Sequence, residues 1–161
     1  MTAPPVPVPR PLSSATPPFA ALDSAPGMAR GHVRAVLAGW GLSEFADPAM
    51  LVADELVANA VNASEKADGA GVLVIRVCLI TDGDALAIEC WDQAPGVPVL
   101  REATAFDESG RGLAIVDDLT NGCWGCQPAI GQQGKCVWAV LPLRARPAGQ
   151  FLAAPCLPGA N

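Results

Sequence analysis

A chain of 161 residues is the length of one globular domain rather than two. Apolar residues make up 51% and charged ones 16%, so there is material for a core and disorder throughout is excluded; with no Tyr, four Phe and four Trp, that core is built from Ala, Val and Leu. Ten Lys and Arg against sixteen Asp and Glu leave a net charge of -6, which disfavours broad contact with nucleic acid or an anionic membrane surface.

Residues 1–18 carry seven prolines and are expected to be a disordered Pro-rich tail or linker. The prolines also break up any basic and apolar leader, and no stretch approaches the ~20 apolar residues of a membrane span, so the expected compartment is the cytoplasm. The folded unit should run over 19–143, with a flexible C-terminal tail over 144–161 marked by prolines at 147, 155 and 158.

Within that unit the spacing of Met28, Val33, Val36 and Leu37 predicts a helix over 26–39, ended by Gly39-Trp40-Gly41. Asp47 followed by Pro48 reads as an N-cap with proline in the first helical position, opening a second helix through about Ala63. Its stripe is Leu51, Leu56, Val57, Ala60 and Val61. The β-branched run on both sides of Asp82-Gly83 predicts a hairpin of strands 72–80 and 85–91. Residues 93–109 lack periodicity and read as loop, 112–119 as a short helix, and the last segment as a closing hairpin about Gln132-Gln133-Gly134. The expected class is α+β: a two-layer sandwich in which a mixed, mostly antiparallel sheet is covered on one face by two to three helices.

Three stretches could carry chemistry. ELVANAVN sets Glu55 and Asn59 four residues apart, hence on one helix face and about 6 Å apart along the axis. Taken alone, Asp54, Glu55, Asn59 and Asn62 read equally as the wet side of an amphipathic helix. Asp92 stands where a strand stops and a Pro-Gly turn begins; it is placed either to accept a hydrogen bond from an exocyclic amine in a pocket or simply to form a surface turn. SGRGLAIVDDL puts Gly110 and Gly112, with Arg111 between them, just before a helix, which suits either an anion at the helix N-terminus or an ordinary turn. No Walker phosphate loop is present, and the third glycine of a dinucleotide fingerprint falls on Ile115.

Cys78, Cys90 and Cys136 lie in strand-like runs and read as reduced core residues. CWGC at 123–126 has redox or zinc spacing, yet it sits on the approach to a strand rather than at a helix start. A single histidine, His32, gives hydrolytic triads almost nothing to build on.

The order Glu-x-x-x-Asn, Asp-x-x-x-Gly, Gly-x-Gly-Leu resembles the GHKL ATPases, the superfamily of gyrase, MutL and sensor histidine kinases. ELVANAV, DQAPG, GRGL and GKCVW are similar to the corresponding stretches of small stand-alone anti-sigma-factor serine kinases of actinobacteria and bacilli, over about residues 19–143. The resemblance implies a Bergerat-type fold, ATP and Mg²⁺ as cofactors, and a set of roles. Glu55 would be the general base, Asn59 the Mg²⁺ ligand, and Asp92 with Gly96 the adenine site. Gly110, Arg111, Gly112 and Leu113 would surround the phosphates, with Asn62 close to them. It also implies a sigma factor or an anti-anti-sigma antagonist as partner, no direct nucleic acid or membrane contact, and a homodimer as one oligomeric state. The implied activity is an ATP-dependent serine/threonine protein kinase; the alternative is a non-catalytic module in which nucleotide orders the loop over about 97–109 and switches a protein interface. The chain departs from the pattern at Asn62, Ala63 and Ser64, where a basic residue and His or Gly are usual, and at Ala94, which replaces the first glycine of the adenine turn.

Overall fold

A computed structural model describes residues 10–67, 69, 71–98, 111–131 and 133–144. In chain order the elements are β1 (Leu12–Ala15), β2 (Phe19–Ala20), α1 (Ala25–Gly39), a 3₁₀ turn (Ser43–Phe45), α2 (Ala46–Glu65), β3 (Val74–Thr81), β4 (Ala85–Asp92), α3 (Gly112–Thr120), β5 (Trp124–Pro128) and β6 (Lys135–Pro142). The strands form one sheet in the order β1-β3-β4-β6-β5, with β2 also on β3, and every pair is antiparallel. The three helices and this sheet make the two-layer α+β sandwich expected from the sequence.

The layers follow from periodicity. Helix α2 buries Ala49, Val52, Ala53, Leu56, Val57, Ala60 and Val61, a stripe at i, i+3, i+4 spacing broad enough to touch α1, α3, β4 and β6 together. In the strands the period is two: Ile75, Val77 and Leu79 of β3 and Leu86, Ile88 and Cys90 of β4 join the helix-side core. Ile80, Ala85, Ala87 and Val140 form a smaller cluster on the other face. Leu56, 1% exposed at the centre of the helix layer, is a position where truncation to Ala costs about 2–5 kcal/mol.

The hairpin turn forms at Asp82-Gly83 as expected: Gly83 takes φ +92°, and Asp82 Oδ1 accepts from the backbone N–H groups of Asp84 and Ala85. Two local expectations are corrected. Asp47 is not the N-cap of α2, because the 3₁₀ turn leads straight into the helix at Ala46 and no side chain caps it; Asp47 lies in the first turn instead. The Pro-rich start is not all tail, since Leu12–Ala15 adds to β3 as an edge strand, from Leu12 opposite Thr81 to Ala15 opposite Cys78. An edge strand needs its ladder bonds on one side only, and Pro11, Pro17 and Pro18 flank this one rather than interrupt it. Among the described residues, no helix is long and apolar enough to cross a membrane.

Candidate functional site

Helix α2 presents Glu55 and Asn59 on its partly buried edge, between the core stripe and solvent. Glu55 reaches the start of α3: a β-carbon on Gly112 would overlap Glu55 Oε2 and lie 3.3 Å from its Cδ. Gly112 is therefore glycine because a carboxylate occupies the space of a side chain. The backbone N–H groups in the first turn of α3 have no intrahelical acceptor, since intrahelical bonding begins with Ile115 N–H donating to the Arg111 carbonyl at 3.0 Å. Anion-seeking donors and a carboxylate thus share one corner.

Burial, and after it the neighbouring charge of Asp54, holds the Glu55 carboxyl above the usual carboxylate range. Asp54 is paired with Arg30 of α1, which ties the two helices together beside the site.

Asn59 has a terminal amide nitrogen that is buried without a hydrogen-bond partner among the described residues. A half-turn of the amide exchanges nitrogen and oxygen in the same volume, so Asn59 can present an oxygen to a hard cation. Among the described residues no three His, Cys, Asp or Glu side chains cluster as a metal site, so a cation here would draw its other oxygens from phosphate and water. The residues present fit Mg²⁺ held with a nucleotide.

Asp92 closes β4 on the helix side of the sheet and is 5% exposed. Its Oδ1 accepts twice, from Ala94 N–H at 2.8 Å and from the Lys135 ammonium at 2.8 Å. Its Oδ2 is buried with no hydrogen-bond partner among the described residues. Desolvation raises the Asp92 pKa, and the Lys135 bond and charge act against that rise. A buried carboxylate oxygen without a donor is costly, and an exocyclic amine supplies the missing donor.

The remaining expected residues divide. Gly96 is exposed at φ +93° with open space where a β-carbon would stand, so the turn requires glycine for its backbone conformation. Arg111 is exposed at the head of α3, and Leu113 is buried just inside it. Asn62 is exposed near the end of α2. Gly110 and most of the 97–109 loop lie outside the described residues.

Two residues of the site were not singled out from sequence. Lys135 faces Asp92 across the β4–β6 ladder and also donates to the Ala94 carbonyl at 3.0 Å. Gly134, at φ +110°, packs its Cα onto the Asp92 backbone, and a β-carbon there would lie 2.8 Å from Gln93 Cα. The signal was the GKCVW stretch itself, whose first two residues set the floor of the Asp92 turn.

CWGC does not form a dithiol. Cys126 packs on the helix-side core and Cys123 on the opposite cluster, as strand alternation requires of residues three apart. Burial pushes both thiols up. Cys90 and Cys136 are buried and Cys78 half-buried, and burial pushes the Cys78 thiol up to about 11. A cavity of about 550 Å³ is lined by Ser14, Arg76, Cys78, Glu89 and Trp91, whose side chains share the sheet face away from the helices, and also by Asp92.

Comparison with curated proteins finds no match. A family model described as the histidine kinase-like ATPase domain matches residues 19–141, which takes in Glu55, Asn59, Asp92, Gly112 and Lys135. With that span covering most of the chain and the whole of the site, this chain belongs to the histidine kinase-like ATPase domain family.

Proposed function

We propose that this protein is an ATP- and Mg²⁺-dependent serine/threonine protein kinase of the anti-sigma type, which binds a sigma factor and phosphorylates an antagonist protein. Family membership supports ATP binding. The observation that carries the kinase reading is the Glu55 carboxylate seated against Gly112, at the N-terminus of a helix, the end that favours an anion.

In this reading the adenine amine donates to Asp92 Oδ2, and the triphosphate runs to the N-terminus of α3. Magnesium, held by Asn59, would offset phosphate charge. Glu55 takes the proton of the attacking hydroxyl as its oxygen bonds to the γ-phosphorus; the bond to the β–γ bridging oxygen breaks, and ADP leaves with that electron pair. A base whose pKa is raised is a stronger proton acceptor, and the backbone donors of α3 meet charge as it develops.

Glu55→Gln keeps the shape of the side chain and removes the base. Phosphotransfer from ATP to the antagonist should fall at least a hundredfold by the usual worth of general-base catalysis, with ATP affinity nearly unchanged. Unaltered transfer overturns the assignment, and ATP binding with no transfer by wild type to any antagonist favours the nucleotide-switched binding module.

A further inference from the structure

The Asp92–Lys135 ion pair is buried, its side chains 1% and 7% exposed. Lys135 is 6% exposed, and its ammonium has three protons, of which two are used among the described residues, on Asp92 Oδ1 and the Ala94 carbonyl. The third proton and the unpartnered Asp92 Oδ2 leave one donor and one acceptor within the same side-chain pair. Burying an ion pair costs desolvation on both sides, and an apolar pair of the same volume would pack the end of the β4–β6 ladder at least as stably. The charged pair keeps one acceptor and one donor that no described residue is shown to use.

Resting on the ATP reading above, we propose that Lys135 is a second base-recognition residue, donating its free proton to the ring nitrogen of adenine beside the amine that Asp92 Oδ2 accepts. Adenine presents an N6 donor flanked by N1 on one side and N7 on the other, so either neighbour complements the pair. A buried ammonium whose third proton has no acceptor rejects a base lacking that nitrogen, just as an orphaned carboxylate rejects one lacking the amine.

The test measures affinity for ATP, 1-deaza-ATP and 7-deaza-ATP, both analogues keeping the N6 amine while losing one ring acceptor. Wild type should bind one analogue about tenfold or more weakly than ATP, the loss of a charge-assisted hydrogen bond, and the other within about twofold. In Lys135→Met that ratio should collapse to near one. Lys135→Gln, which keeps a neutral donor to Asp92, guards against loss of the fold and should show an intermediate ratio. A purely structural Lys135 would weaken all three ligands together and leave the ratios unmoved. If wild type binds ATP and both analogues alike, or if the ratio persists in both variants, the inference is overturned while the ATP reading stands. If wild type does not bind ATP, the reading beneath it fails as well.

Discussion

The Glu55 carboxylate occupies the volume that a side chain at position 112 would fill, so α2 and α3 meet through a carboxylate resting on a glycine. The contact makes stability and activity separable. Gly112→Ala adds a strong helix former to the first turn of α3, and its methyl group displaces the flexible end of Glu55 rather than backbone. Thermal unfolding should occur at an unchanged or slightly higher temperature, while phosphotransfer drops at least about tenfold because the base has moved. A variant that loses activity only in step with its stability would speak against the role of this contact.

With Glu55 as the proposed base, its raised pKa should set the acid side of the rate profile. A base works deprotonated, so kcat should fall as pH drops through a value above the ordinary carboxylate range. Asp54 contributes to that rise, and Asp54→Asn should move the acid limb to lower pH. The pH–rate profiles of the two proteins check this directly; coincident limbs would remove Asp54 from the account.

Glu89 is buried on the sheet face away from the helices, accepts from Trp91 Nε1 at 2.9 Å, and has a pKa raised chiefly by desolvation. With the folded pKa above the unfolded one, the stabilising contribution is present below the unfolded value and is lost as pH rises through the folded value. Glu89→Gln should therefore unfold at a temperature a few degrees higher at neutral pH, on the order of 1 kcal/mol, with the gain vanishing as pH falls below the unfolded value. Melting curves at the two pH values give the answer.

Two glycines of the Asp92 turn should respond differently. Gly134→Ala faces both a positive φ and the Asp92 and Gln93 backbone, which cannot yield as a side chain can, so a loss of more than about 3 kcal/mol is expected. Gly96→Ala faces the same φ constraint with open space around it, for a loss of about 1 kcal/mol. Denaturant unfolding of both variants should preserve that order.

Much of the fold was legible because each element carries a clean period: 3.6 along α2, two along β3 and β4, and an Asp-Gly turn between the strands. The edge strand Leu12–Ala15 was not, because its partner lies some sixty-five residues away in the chain and proline density obscures four extended residues. At the site, Glu55, Asn59, Asp92 and Gly112 could be picked out by type and spacing. The contact of Glu55 with Gly112 could not, because it depends on how α3 docks on α2. Lys135 was hidden for a related reason, since its link to Asp92 spans 43 residues and exists only through the β4–β6 register.

Asp92 Oδ2, buried without a partner among the described residues, is the proposed acceptor of the adenine amine. Calorimetric titration of ATP with Mg²⁺ into wild type and Asp92→Asn, both shown folded by their melting curves, measures this most directly. The account predicts saturable binding to wild type and at least about tenfold weaker binding to the variant, as expected for a lost hydrogen bond to a charged group. Equal affinities for the two proteins would contradict it.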